Sequence, residues 1–145
     1  MISVAALLRE RLRRSDIVAR WGGEEFIFLM PDASQSAAYV KANEIGQYVQ
    51  DCPLVLDDKR TVALSASFGA AQRQAGDKSI EAVILRADCA LYQSKAAGKN
   101  RVTVSAGQID MSNGVRSVSW GAHSYSSLSR SLRASSIPPA LCTFT

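Results

Sequence analysis

Gly22 and Gly23 are followed directly by Glu24 and Glu25, an order of residue types that suits chemistry on a phosphorylated ligand. Carboxylate oxygens are the hard ligands that Mg²⁺ prefers. Glycines carry no Cβ, so a bulky anion or a flat base can come close to the backbone. Two further pairs carry charge at short spacing. Lys95 and Lys99 stand four residues apart, which on a helix places both ammonium groups on one face. Arg13 and Asp16 stand three apart, a pattern that taken alone is a solvated helix end. An isolated Gly-Gly-Glu-Glu string is equally an ordinary exposed turn, so these residues gain meaning only from the elements that position them.

A Gly-Gly link between the β-forming runs Ile17 to Trp21 and Glu25 to Met30 predicts a hairpin with the glycines in a type I′ turn and Glu24 at its tip. The second run is apolar at nearly every position, as expected of a strand covered on both faces. Before the hairpin, Val4, Leu7, Leu8 and Leu12 recur at helical spacing and predict an amphipathic helix over residues 3–14 whose other face carries the arginines. After it, Pro31 stops the strand and Ser34 caps a helix running to about Gln50, with Ala38, Ala42, Ile45 and Val49 on one stripe. Leu54 to Leu56 and Thr61 to Gln72 read as a second hairpin around Asp57-Asp58-Lys59-Arg60. A longer helix begins near Asp77 or Ser79 and stops at Gly98, with Lys95 and Lys99 gathered where cations suit the dipole. Arg101 to Val104 forms a last short strand.

From Ala106 onward the pattern changes. Ten of the forty residues to Thr145 are serine, the apolar residues lose periodicity, and Pro138-Pro139 lies near the end, so residues 106–145 are expected to be a flexible tail without a site. The remaining order, αββαββαβ over residues 1–105, predicts an α+β fold with helices on a mainly antiparallel sheet.

Composition narrows the function. With 47% apolar and 21% charged residues, the chain has the profile of one soluble globular domain. No apolar stretch approaches the roughly 20 residues needed to cross a bilayer, and the opening run Ile2 to Leu8 is expected to belong to an amphipathic helix and not to an export signal. Cys52, Cys89 and Cys142 are far apart and in no metal-ligand spacing, which fits a reducing cytoplasm without disulfides. The formal charge of +4 is split between Arg9 to Arg14 and the Lys95 to Arg101 region. Neither cluster is interleaved with aromatics for base stacking, so nucleic acid is not the expected partner and a small phosphorylated ligand is.

Arg20-Trp21-Gly22-Gly23-Glu24-Glu25-Phe26, Ser67-Phe68-Gly69, Ala87-Asp88 with Ala90-Leu91-Tyr92, and Lys95-Ala96-Ala97-Gly98-Lys99-Asn100-Arg101 together resemble the GGDEF domain of bacterial diguanylate cyclases, in the family's order. The resemblance covers Val4 to about Val104. It implies a nucleotide-cyclase-like fold and a transferase activity in second-messenger signalling. Two such domains, each holding one GTP with Mg²⁺ or Mn²⁺, face one another and condense the nucleotides into cyclic di-GMP. Carried over by position, Glu24 would be a metal-binding and catalytic acid and Glu25 a second acid beside it. Gly22 and Gly23 would admit the nucleotide, and Lys95 and Lys99 would hold its phosphates, with lysine at 99 where arginine is usual. Arg13 and Asp16 match the family's inhibitory RxxD site for cyclic di-GMP. The helix that follows offers Lys41 where the family often brings another arginine. A homodimer or higher oligomer is implied.

Other family motifs are not among these residues: an opening helix, a central strand bearing a metal-binding aspartate, and the Asn and Asp that read guanine. The sequence therefore reads as the second part of a GGDEF domain, expected to make no product alone and to leave open strand edges where the central strand belongs. Two other readings stand beside the enzyme: a module that binds cyclic di-GMP through Arg13 and Asp16 without catalysis, and a fragment without function.

Overall fold

The computed structural model describes residues 4–106 and 140–144. Helix α1 (Val4–Arg11) leads into the hairpin β1 (Ile17–Gly22) and β2 (Glu25–Met30), followed by α2 (Gln35–Asp51). Strands β3 (Leu54–Val55) and β4 (Thr61–Val62) form a small sheet of their own. Then come β5 (Phe68–Gln72), α3 (Ile80–Ala96), β6 (Val102–Val104) and, far along the chain, β7 (Ala140–Phe144).

The main sheet has the order β1-β2-β7-β5-β6. Its pairings are antiparallel except β5 with β6, so the expected mainly antiparallel α+β architecture is present. Strand β2 shows why its sequence is apolar throughout. Phe28 and Met30 pack with α1 and α2 residues such as Leu8, Ala38, Ala42 and Ile45 on one face. Ile27 and Leu29 pack with Val83, Ile84 and Ala87 of α3 on the other.

Three local features follow directly from residue type. Ser34 caps α2 by accepting a hydrogen bond from the Ala37 amide at 3.2 Å, which satisfies one orphan donor of the first turn. Gly69 lies where β5 meets α3 so closely that a Cβ would strike the Ala87 carbonyl and the Leu91 backbone. On the same side, Arg86 and Asp77 form a buried bidentate ion pair with both nitrogen–oxygen distances at 2.6 Å.

Two expectations change. The first helix ends at Arg11, because the Arg13 to Asp16 turn takes up the next residues. The run Thr61 to Gln72 divides into β4 and β5.

The larger correction concerns the tail. Residues 107–139, expected to be flexible, lie outside the described residues, but Ala140–Phe144 is the middle strand of the main sheet, paired through five residues on each side. Its Ala140 and Cys142 are wholly buried in the core under α2. The expected gap in the sheet is thus closed, and β1 and β6 are its edges. A serine-rich average over forty residues hid a five-residue strand.

Candidate functional site

Glu24 sits on the β1–β2 turn, which falls one residue later than the spacing predicted, and Glu25 opens β2. Gly22 pairs with Glu25, and the register shifts between Arg20 and Gly22. Trp21 is therefore bulged, and Gly23 and Glu24 form the turn itself. Only Gly23, at φ +52°, uses glycine's left-handed freedom. A Cβ on either glycine would meet nothing within 4 Å, so the backbone there faces open space. Arg20 closes the turn from below, donating from Nε and Nη2 to the Gly23 carbonyl at 2.9 and 2.6 Å.

The lysines come from the end of α3. Lys95 lies in the last helical turn, and its Nζ stands 3.6 Å from Glu25 Oε1 with both side chains partly open to solvent. Lys99 is beyond the helix, contrary to the expectation that both share one helical face. Gly98 is the left-handed C′ residue at φ +109°, and Lys99 and Asn100 continue at φ +61° and +47°. That reversal is pinned by Lys99 N–H donating to the Ser94 carbonyl at 3.0 Å and Asn100 N–H donating to Ser67 Oγ at 3.0 Å.

These two regions border one cleft of about 840 Å³, with Glu24, Gly23 and Arg20 on the hairpin side and Lys95 and Lys99 on the helix side. Val18, Phe26, Val49, Leu64 and Ala66 supply apolar lining, and Arg9 reaches it from α1. Four cations and one carboxylate thus surround partly apolar space, which suits a ligand with a flat apolar part and several negative charges. Gly22 and Glu25 are not in that lining; Glu25 reaches the site through Lys95. Arg9 and Arg20 are the contributors that the spacing argument did not assign. Their signal was present in the sequence, since Arg9 is on the polar face of α1 and Arg20 stands two residues before the glycines.

The Arg13 to Asp16 turn is separate from the cleft and closed in both directions. Asp16 N–H donates to the Arg13 carbonyl at 3.0 Å, and Arg13 N–H donates to Asp16 Oδ2 at 2.8 Å. Lys41 of α2 comes to the same end of α1, with Nζ 3.2 Å from the Arg11 carbonyl and 2.7 Å from Glu44 Oε2.

The mainly antiparallel sheet with helices on both faces is an α+β architecture. Residues 1–101 match the family described as "Diguanylate cyclase, GGDEF domain", and the chain belongs to that family. Diguanylate cyclase A of Treponema denticola is 37% identical over 102 residues, covering 70% of this chain and 27% of that protein. Diguanylate cyclase DosC of Escherichia coli is 37% identical over 99 residues, covering 68% and 21%. The chain thus spans about a quarter of the length of these relatives. Among solved structures, the GGDEF domain of DgcB from Caulobacter crescentus in complex with c-di-GMP superposes with a TM-score of 0.67 at 34% identity, covering 72% of this chain and 61% of that one. The active GGEEF domain of a diguanylate cyclase from Vibrio cholerae superposes with a TM-score of 0.63 at 27% identity, covering 72% and 65%.

Proposed function

We propose that the chain is a GTP-binding module of cyclic di-GMP signalling that does not condense GTP by itself. The observation that carries the binding half is the cleft, where Glu24 on a rigid turn faces Lys95 and Lys99. The donor set fits Mg²⁺ or Mn²⁺ entering with a triphosphate, because such a cation takes one or two carboxylates and completes its shell with phosphate oxygens and water. When bound, the cation would offset charge on the phosphates during attack of a 3′-hydroxyl on an α-phosphorus. Lys95 and Lys99 would hold the phosphate chain by charge-assisted hydrogen bonds, and Lys95 would exchange its contact with Glu25 for the ligand. Gly22 and Gly23 leave the backbone open to that approach.

The catalytic half rests on what the middle strand brings. Ala140-Leu141-Cys142-Thr143-Phe144 occupies the centre of the sheet without a carboxylate, so among the described residues Glu24 is the carboxylate lining the cleft and Glu25 reaches it through Lys95. Condensation of two GTP also needs a second loaded domain face to face, as the family's homodimers imply. With GTP and Mg²⁺, cyclic di-GMP measured by chromatography should stay at the level of a Glu24→Ala control; product clearly above that control refutes the inactive reading. Binding of a fluorescent N-methylanthraniloyl GTP should be seen for the wild type and weakened by on the order of tenfold with Lys95→Ala.

A second reading is favoured by the closed Arg13 to Asp16 turn, which holds the Arg13 backbone and the Asp16 carboxylate together on one short loop. There Arg13 would fork onto a guanine edge or phosphate of cyclic di-GMP and Asp16 would accept from guanine. An arginine contact of this kind contributes about 1.5 to 3 kcal/mol, so Arg13→Ala should weaken cyclic di-GMP by on the order of tenfold or more in titration calorimetry. Glu24→Ala should leave it unchanged. The reverse pattern would move cyclic di-GMP into the cleft.

A further inference from the structure

Among the described residues, β7 is the strand that joins the two halves of the cleft within the sheet. In the order β1-β2-β7-β5-β6, β2 and β5 share no pairing. Glu24 and Glu25 ride on the β1–β2 hairpin, whereas Lys95 and Lys99 stand at the end of α3, which packs on β5 and β6 through Gly69 and the Ser94 hydroxyl and on β2 through Ile27 and Leu29. The Ser94 group donates to the Phe68 carbonyl at 2.7 Å and contacts Thr103 Oγ1 at 2.6 Å. Withdrawing β7 would break the ladder between the acids and the lysines and leave only side-chain packing, of Ile27 and Leu29 on α3 and of α2 on both β2 and β5, to hold them in register.

The slot that receives the strand has a readable specificity. Its two walls are the facing sides of Phe26 to Met30 and Phe68 to Gln72, both paired antiparallel with the occupant. Its α2 face admits only small side chains, since Ala140 and Cys142 are wholly buried there and Cys142 Sγ lies 3.8 Å from the Ala38 carbonyl. Burial also pushes the Cys142 thiol well above its ordinary range, consistent with a dry site. The occupant lies outside the residues matched by the family, which end at 101. Ala140 lies opposite Gln72 on one side of β5, and Ser105 donates to the Ala70 carbonyl on the other. The strand thus enters beside the point where β6 leaves, two strand spacings or roughly 10 Å away.

We propose that residues 140–144 are a docking segment whose insertion between β2 and β5 assembles the cleft, so that strand occupancy controls nucleotide binding. This rests on the GTP reading above. The slot takes an extended antiparallel segment with small residues at the positions of Ala140 and Cys142, and this chain's own segment is its occupant. A peptide of the same sequence should fill it when the internal copy is spoiled.

The test uses the full chain with Cys142→Asp, which places an unpaired carboxylate on the dry face. Hydrogen exchange of the β2 and β5 amides and binding of N-methylanthraniloyl GTP are followed with and without a synthetic peptide of residues 137–145. The variant should lose protection in both strands and bind the nucleotide at least tenfold more weakly. The wild-type peptide should restore both, and a scrambled peptide neither. Unchanged protection in the variant overturns the docking role, and lost protection with wild-type nucleotide affinity overturns the control of the cleft. If Cys142→Asp is insoluble, it is refolded with each peptide; failure of the wild-type peptide to recover soluble, protected protein also overturns the proposal. A wild-type chain that binds no nucleotide refutes the GTP reading and with it the control of the cleft, while exchange still decides the docking.

Discussion

Helix α3 has a cation–carboxylate pair near each end, and the two are built for different purposes. Arg86 and Asp77 meet as a fork at 2.6 Å with side chains only 4% and 6% exposed, and Arg86 also donates to the Gln72 carbonyl at 3.0 Å. Asp77 accepts a further bond from the Gln74 amide at 2.6 Å. Lys95 and Glu25 meet at 3.6 Å with 37% and 47% exposed. The first pair has no freedom to serve a ligand, and its role is to fasten the β5–α3 loop to the helix. The second is loose, partly exposed and beside the cleft, so on the proposed reading a phosphate would displace the carboxylate at small cost. Charge pairing alone does not mark a site; exposure and geometry separate an anchor from a binding group.

The comparison is broken most severely at the anchor. Arg86→Ala should destabilise the fold by about 3–5 kcal/mol in urea denaturation, because it strands a buried carboxylate. The Arg86 guanidinium also holds the Asp77 carboxyl below its usual value of 3.8. A carboxyl with a depressed folded pKa contributes stability that is full above the unfolded value and is lost as pH falls through the folded one. Wild-type stability should therefore fall in acid below about pH 4, and an Asp77→Asn variant should show a smaller drop across that window. An equal drop in both would show that other groups control the acid limb.

Close to that effect in size is the seam between β5 and α3. Gly69→Ala places a methyl group on the Ala87 carbonyl and the Leu91 backbone, neither of which can swing away as a side-chain tip would. A loss at the upper end of about 1–3 kcal/mol is expected from such overpacking, read as a lowered urea midpoint. Because α3 carries Lys95, nucleotide binding should weaken along with stability. A variant of unchanged stability would mean that the helix can slide on the strand.

Sequence legibility follows the same division between short-range and long-range causes. The hairpin, the two-sided burial of β2, the Ser34 cap and the Gly98 stop each depend on neighbouring residues, and each was readable. Even the misplacement of Lys99 was latent there, for a glycine at C′ puts the next residue beyond the helix. The bulge at Trp21 shifted the turn by one residue without a local signal. Arg86 and Asp77 were unreadable as a pair because nine residues and a helix start separate them. Strand β7 was hidden for a different reason: its small residues become meaningful only when β2, β5 and α2 are in place around them.

At the loose pair the effects should reverse in kind. Lys95→Ala removes an exposed ion pair that contributes roughly 0–1 kcal/mol to stability, so the urea midpoint should barely move. Nucleotide affinity should fall by on the order of tenfold, or about 1.4 kcal/mol, if the lysine holds phosphate. Glu25→Gln sharpens the same point, since freeing Lys95 from its carboxylate should leave affinity for a metal-free anion such as inorganic pyrophosphate unchanged or slightly raised. A larger stability loss than binding loss in Lys95→Ala would make this pair a second anchor.

The smallest expected effect has opposite signs in stability and binding. Lys99 holds φ +61° next to Asn100 at +47°, and asparagine tolerates this region better than lysine does. A left-handed residue with a Cβ costs roughly 1–2 kcal/mol, while glycine returns about 0.4–1 kcal/mol of that through the greater freedom of the unfolded chain. Lys99→Gly should then stabilise the domain by about 0.5–1 kcal/mol on these figures, and weaken N-methylanthraniloyl GTP by removing one cation from the cleft. Lys99→Ala is the necessary partner, because it removes the same charge and keeps the strain. If both variants lose affinity equally and only the glycine variant gains stability, the lysine is kept in a strained conformation for its charge. If neither loses affinity, Lys99 is a bystander at the edge of the cleft, and the phosphate chain is held by Lys95 with Arg9 or Arg20.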